Sequence, residues 1–128
     1  MNENLSDFTI VVIDDDEALC DALESTLKAT GFHVGKFFSA EEYLASSDRE
    51  FASCLILDVR LPGMSGIELQ HVLRETGDLV PIVFLTAHGD ATIREVVMKA
   101  GATGFLTKPV RRSALIQQVM SAMAFRSD

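Results

Sequence analysis

The stretch TIVVIDDDEA, residues 9–18, decides the fold. Its first five residues are all β-branched, and the run is continuous rather than alternating, as in a strand of a parallel sheet that is covered on both faces. Asp16 can then cap a helix in which leucines recur every four residues from Leu19 to Leu27, and Gly31 stands where that helix would end. The sequence therefore predicts a strand, a short acidic turn and a helix.

The same alternation of strand-like and helical patterns continues along the chain. Ser39 with Glu42 and Ser65 with Glu68 have the spacing of helix capping boxes, and Asp90 can cap a further helix. Right-handed crossovers place helices on both faces of a parallel sheet, so five strands and five helices predict a doubly wound α/β sandwich. The remaining predicted strands are residues 34–38, 54–57, 82–85 and 104–106.

The apolar stripes of the later helices are predicted to face the core, because they recur at helical spacing. They comprise Ile67, Val72 and Leu73 in the third helix, Ile93, Val96, Val97 and Ala100 in the fourth, and Leu115, Ile116, Val119, Met120 and Met123 in the fifth.

Length and composition narrow the class of protein. A chain of 128 residues with 48% apolar residues fits one soluble globular domain, residues 1–128. Its apolar runs are too short to span a membrane, and its two cysteines are expected to be reduced and packed, which favours a cytoplasmic protein.

The net charge of -8 disfavours direct binding to nucleic acid. Residues 1–66 hold 13 Asp and Glu against 4 Lys and Arg, and this concentrated acidity favours a bound cation.

The chemically active side chains follow the predicted strands. The first strand leads into Asp14, Asp15 and Asp16, and the third strand ends at Asp58. Thr86 ends the fourth strand, and Lys108 and Pro109 end the fifth. Ligands of such sheets bind beyond the carboxyl ends of the strands, so we expect these residues to meet at one rim.

This set of side chains suits a metal ion and a phosphoryl group. One cap explains Asp16, but Asp14, Asp15 and Asp58 would repel one another unless a cation shared them. Carboxylate oxygens favour Mg2+, with Mn2+ as a substitute, and no cluster of His and Cys suggests zinc. A lysine and a hydroxyl beside them complete the groups needed for phosphoryl transfer to an aspartate.

The order of these motifs resembles the receiver domain of bacterial two-component response regulators over essentially the whole chain. The similar segments are VIDDDEA at 12–18, LILDVRLPGMSG at 55–66, FLTAHGD at 84–90 and KAGATGFLTKP at 99–109. The resemblance implies a flavodoxin-like fold with strand order 2-1-3-4-5. The last two segments look most like the FixJ/NarL-type regulators.

The resemblance also implies a role for each matching residue. Asp58 would be the phosphoacceptor, and Mg2+ would be bound by Asp14, Asp15, Asp58 and the backbone carbonyl of Arg60. Thr86 and Lys108 would contact the phosphoryl group, so that Asp58, Thr86 and Lys108 carry the reaction. Thr86 and Phe105 would form the switch, and the bond before Pro109 would be cis. Arg60 and His88 would flank the entrance.

The partner implied by this resemblance is a sensor histidine kinase. Phosphorylation would change the surface of the fourth helix, fifth strand and fifth helix, and so control homodimerisation and a DNA-binding output domain outside this chain. Such a protein is a signalling switch and not an enzyme with external substrates.

Other readings of the sequence remain open at this stage. A stand-alone regulator acting through protein contacts would have the same residues. A haloacid-dehalogenase-like phosphatase would need a second acid where Arg60 stands. A flavodoxin-like cofactor carrier or a receiver that no longer responds to phosphate would share the fold, although no glycine-rich nucleotide loop follows the first strand.

Overall fold

The computed structural model describes residues 4–87 and 91–126, which form one five-stranded parallel sheet between two layers of helices. The predicted cap Asp90 and the predicted entrance residue His88 lie outside the described residues. The strands are β1 (Thr9–Ile13), β2 (His33–Phe37), β3 (Ala52–Asp58), β4 (Ile82–Thr86) and β5 (Gly104–Thr107). The helices are α1 (Glu17–Thr30), α2 (Ala40–Ala45), α3 (Gly66–Glu75), α4 (Ala91–Lys99) and α5 (Arg112–Arg126), with short 3-10 turns at Leu5–Asp7 and Ser47–Phe51.

The strand order is β2-β1-β3-β4-β5, and every pairing is parallel, so the predicted doubly wound flavodoxin-like fold is confirmed. The order reverses beside β1, because the chain first moves outward to β2 and then returns past β1 to β3. The carboxyl ends of β1 and β3 therefore flank the crevice in which such sheets bind ligands. Among the described helices, none is long and apolar enough to cross a membrane.

The sheet is covered on both faces, which explains why its strand sequences are continuous apolar runs. All seven residues of β3 are buried. Alternate residues point to opposite faces, so Ile10 and Val12 pack with α1 and α5, whereas Val11 and Ile13 pack with α2 and α3. This packing fixes the positions of the strand ends on which the side chains of the site stand.

Helix caps set where the helices begin. The side chain of Asp16 accepts a hydrogen bond from the amide of Leu19, as the prediction required. Ser65 and Glu68 form a complete capping box at the start of α3. Ser39 caps α2, but its box differs from the prediction because the Glu42 side chain accepts from the amide of Phe38 at 3.4 Å and not from that of Ser39.

Three residues predicted to face the core are exposed. Val97 is fully buried, but Val96 is 46% exposed and Ala100 is also exposed. Met120 is 43% exposed beside the buried Val119. Successive helical residues point about 100° apart, so Val96 and Met120 turn away from the sheet where their neighbours Val97 and Val119 point directly into the core. The stripes predicted for α4 and α5 were therefore too wide.

Candidate functional site

The parallel sheet brings the predicted site residues to one rim. Asp14 follows the last residue of β1, and Asp58 is the last residue of β3. Thr86 ends β4 one residue beyond Leu85, which pairs with Asp58. Lys108 follows β5, and its amide donates to the carbonyl of Thr86 at 2.8 Å. Four neighbouring strands thus each supply one of the side chains identified from the sequence.

Lys108 joins the two buried carboxylates of the site. Its Nζ lies 3.0 Å from Oδ2 of Asp58, in hydrogen-bond geometry, and 2.9 Å from Oδ2 of Asp14. Asp14 is fully buried and Asp58 is 5% exposed. A buried carboxylate is strongly disfavoured without a partner, so the lysine stabilises two charges that the strand ends force together.

Asp14 uses its two oxygens differently. Oδ1 accepts a hydrogen bond from the amide of Asp16 at 2.9 Å. Oδ2 lies 2.9 Å from Nζ of Lys108 as an ion pair, and it receives no further hydrogen bond from the described residues. A buried carboxylate oxygen whose one close partner is an ammonium ion can take a cation as a further partner.

The charges at the rim are reflected in two pKa values. Burial raises the pKa of Asp14, and the nearby charge of Asp58 raises it further, although the Asp16 amide and Lys108 act in the opposite direction. Burial opposes the charge on Lys108, but its contacts with Asp14 and Asp58 outweigh this effect and raise its pKa. Lys108 therefore remains an ammonium ion at neutral pH.

The acidic cluster fits a divalent metal ion. Asp14, Asp15 and Asp58 each offer a carboxylate oxygen, and these oxygens lie within 4.8 Å of one another. Three carboxylates and the single ammonium of Lys108 leave a net charge of -2 when all four groups are ionised. Hard oxygen ligands with this charge suit Mg2+. Asp16 is occupied as the cap of α1 and lies outside the cluster.

The loop after Asp58 is held tightly against the strand end. The amide of Arg60 donates to Oδ1 of Asp58 at 3.0 Å, and the amide of Gly66 donates to the carbonyl of Val59 at 2.9 Å. A Cβ at Gly66 would collide with the backbone carbonyl of Asp58. Sequence reasoning did not identify this role of Gly66, because the contact depends on how the loop folds back.

Replacing Gly66 by alanine is expected to destabilise the protein by about 1–3 kcal/mol, because backbone atoms must move to admit the methyl group. Gly35→Ala is the matched control. A Cβ at Gly35 meets its nearest atom, in the Val11 side chain, at an ordinary 3.7 Å. The control should leave stability unchanged or raise it by up to about 1 kcal/mol. Urea unfolding followed by circular dichroism measures both changes, and equal stabilities of the two variants would contradict the steric explanation.

The remaining predicted residues lie around this cluster. The side chain of Thr86 is buried, and Asp15 is exposed. Phe105 is partly buried and packs in the cluster on the α3 side of the sheet, opposite Phe84 in the β4–β5 pairing and two residues before the end of β5. The peptide bond between Lys108 and Pro109 is cis.

Comparison with known proteins gives a consistent family. The family model described as "Response regulator receiver domain" matches residues 10–120. The response regulator protein TodT of Pseudomonas putida is 41% identical over 114 residues, covering 89% of this chain and 50% of that protein. The transcriptional regulatory protein FixJ of Rhizobium meliloti is 36% identical, covering 92% of this chain and 58% of its own length. The chain thus spans about half the length of these curated relatives.

Solved structures agree with the fold. The response regulator StyR has a TM-score of 0.85 and 42% identity, covering 93% of this chain and 60% of that chain. The chemotaxis protein CheY4 of Vibrio cholerae has a TM-score of 0.82 and 25% identity, covering 90% of this chain and 98% of that chain. A BeF3-activated receiver domain of DrrB has a TM-score of 0.80 and 29% identity, covering 91% of this chain and 97% of that chain.

Proposed function

Because the chain belongs to the response regulator receiver domain family, with residues 10–120 matched, we propose that it accepts a phosphoryl group on Asp58 from a sensor histidine kinase. Its relatives are response regulators of the FixJ/NarL-like kind. The chain is accordingly a signalling domain of a two-component system. Its proposed chemistry is limited to the phosphorylation and dephosphorylation of its own aspartate.

The pair of contacts made by Lys108 is the observation that carries this proposal. Lys108 Nζ lies 3.0 Å from Asp58 and 2.9 Å from Asp14, so a fixed positive charge stands beside the proposed nucleophile. An oxygen of Asp58 would form a bond to phosphorus while the bond from phosphorus to the histidine nitrogen breaks and its electron pair stays on that nitrogen. Lys108 would then offset charge on the transferred group, and the Thr86 hydroxyl would donate to one of its oxygens.

The metal site of this proposal uses residues at the same rim. The carboxylates of Asp14, Asp15 and Asp58 and the carbonyl of Arg60 would hold Mg2+, or Mn2+ in its place. When bound, the ion supplies positive charge beside the transferred phosphoryl group. The buried Oδ2 of Asp14 and the net charge of -2 support this assignment.

The proposed output of phosphorylation is a change in the surface formed by α4, β5 and α5. Thr86 would move towards the phosphoryl group, and Phe105 would repack into the space that it leaves. Val96 and Met120 are exposed on α4 and α5 and offer apolar area for a homodimer.

If phosphorylation causes this dimer to form, light scattering should give a larger mass for the phosphorylated protein than for the unmodified one. Equal masses for the two forms would remove the dimer from the proposal.

The wider biological role is proposed from the relatives. Residues 1–128 would be one receiver domain that controls a DNA-binding output domain, with the stand-alone regulator as the alternative. A cytoplasmic location accompanies a kinase-linked receiver, and the buried Cys20 and Cys54, which form no disulfide bond, agree with it. Arg60 stands two residues after Asp58, where a haloacid-dehalogenase-like phosphatase needs an acid, and this disfavours that enzyme.

Intact-protein mass spectrometry with acetyl phosphate tests the proposal. We expect one added phosphoryl group in the presence of Mg2+, none in the presence of a chelator, and loss of the adduct on treatment with hydroxylamine, which cleaves an acyl phosphate. Beryllofluoride binding, followed by fluorine NMR, detects the site even if the adduct hydrolyses rapidly. A protein that shows neither the Mg2+-dependent adduct nor beryllofluoride binding is not a functional phosphoacceptor.

A further inference from the structure

The loop between β3 and α3 carries the Arg60 carbonyl of the proposed metal site. Near its start, the Arg60 amide is bound to Asp58, and at its end the Gly66 amide is bound to Val59. These bonds fix the two ends of the loop, and in its middle, residues 61–64, the side chains of Leu61 and Met64 pack against the core on the α3 side. Among the described residues, no backbone–backbone hydrogen bond holds the main chain of residues 61–64, so a contact from elsewhere is needed to fix it.

Glu41, in the first turn of α2, provides this contact. Its Oε2 accepts a hydrogen bond from the amide of Met64 at 2.8 Å, across 23 residues of sequence. The same oxygen lies 2.5 Å from the position that a Cβ of Gly63 would take, which is too close for a side chain, and Gly63 has a φ of 73°, which favours glycine. The Met64 amide holds the pKa of Glu41 below its usual value. Glu41 is therefore an ionised group at neutral pH that contacts the middle of the loop.

We propose that Glu41 is a positioning residue for the Mg2+ site, acting from α2 by holding the loop that presents the Arg60 carbonyl. This inference rests on the proposed function of the acidic rim. With Glu41 in place the loop is already ordered when the ion binds. Without it, residues 61–64 have more conformations, and binding the ion must also order the loop, which lowers the affinity.

The alternative is that Glu41 only favours the start of α2, where an acidic side chain interacts well with the helix dipole. Glu42 allows the two roles to be separated. It has the same charge, lies in the same turn and is also exposed, but its carboxylate contacts the amide of Phe38 and not the loop. If the charge at the start of α2 were what matters, replacing either glutamate would weaken Mg2+ binding. If positioning of the loop matters, only the replacement of Glu41 would weaken it.

Isothermal titration calorimetry with MgCl2 on four proteins tests the inference: the unchanged protein, Glu41→Ala, Glu41→Gln and Glu42→Ala. We expect Glu41→Ala to weaken Mg2+ binding by about three- to tenfold, which is less than the roughly 10- to 100-fold effect of residues that hydrogen-bond metal ligands directly, because Glu41 contacts Met64 and not Arg60. Glu41→Gln should recover part of the loss, because its amide oxygen can still accept from Met64. Glu42→Ala should bind Mg2+ as the unchanged protein does.

Amide hydrogen exchange at Met64 gives a second measurement on the same four proteins. Exchange there should be faster in Glu41→Ala than in Glu42→Ala, because only the first variant removes the acceptor of that amide. Equal Mg2+ affinity of these two variants would overturn the inference and leave the proposed function intact. An unchanged protein that binds no Mg2+ would instead overturn the metal site of the proposed function.

Discussion

Replacing Asp58 by asparagine is expected to lower phosphoryl incorporation from acetyl phosphate at least about a hundredfold, equivalent to about 2.7 kcal/mol of activation free energy. The carboxylate at the end of β3 is the proposed nucleophile, and an amide of nearly the same shape is a much weaker one. The carbonyl oxygen of asparagine can still accept from Lys108 or Arg60, so the rim should keep its geometry. Intact-protein mass spectrometry at matched times in Mg2+ measures the difference.

Asp16→Asn is the matched control for this experiment. It also removes one carboxylate from the turn after β1, but asparagine caps a helix as well as aspartate does, so α1 should keep its start. Because Asp16 lies outside the acidic cluster, incorporation should remain close to that of the unchanged protein. If Asp58→Asn and the control incorporated phosphoryl groups equally, Asp58 would not be the acceptor.

Replacing Lys108 by methionine is expected to destabilise the metal-free protein by about 2 kcal/mol at pH 7.5. Removing one partner of a fully buried ion pair costs about 3–5 kcal/mol, and we reduce this value because the Lys108 side chain is 23% exposed. Asp14 and Asp58 would keep only the backbone amides of Asp16 and Arg60 as partners for their charges. Urea unfolding in a chelating buffer measures the loss.

The pH dependence of this variant follows from Asp14. Its pKa in the folded protein is already above the ordinary 3.8, and removing Lys108 raises it further. The folded state then binds a proton more tightly than the unfolded state, so stability increases as the pH falls through the raised pKa towards 3.8. We expect the gap between the variant and the unchanged protein to be smaller at pH 5 than at pH 7.5.

Lys99→Met provides the control for Lys108→Met. Lys99 pairs with Glu95 on the surface of α4, and both side chains are largely exposed. Such pairs contribute at most about 0.5 kcal/mol, so the control should lie close to the unchanged protein at both values of pH. A loss in Lys108→Met no larger than that of the control would show that Lys108 does not stabilise the buried carboxylates.

The strand positions and the residues of the rim could be predicted from the sequence because both depend on local patterns. A β-branched run followed by Asp14 indicates a strand end, and parallel strands bring their ends together whatever the details of packing. Asp16 could be separated from its neighbours because capping is also local. The position of Lys108 at this rim could be predicted, but its simultaneous ion pairs with Asp14 and Asp58 could not. Those two distances depend on the spacing of three strands.

The features that the sequence did not reveal depend on packing between distant segments. Nothing near Glu41 indicates that it contacts Met64, because the two residues meet only after α2 and the loop have docked on the sheet. The buried side chain of Gln70 was also missed, although it donates to the carbonyl of Val97 on α4. Hydrophobic periodicity does not identify a polar residue that is buried because it links two helices.

The position of β5 at the edge of the sheet gives the molecule a gradient of local stability. β3 is buried along its whole length between β1 and β4, whereas β5 has four residues and pairs with β4 at the margin. Local opening requires less free energy where fewer buried contacts must be broken. We therefore expect β5 to open at a lower free-energy cost than β3, which would let the proposed repacking of Phe105 occur without disturbing the backbone that holds Asp58.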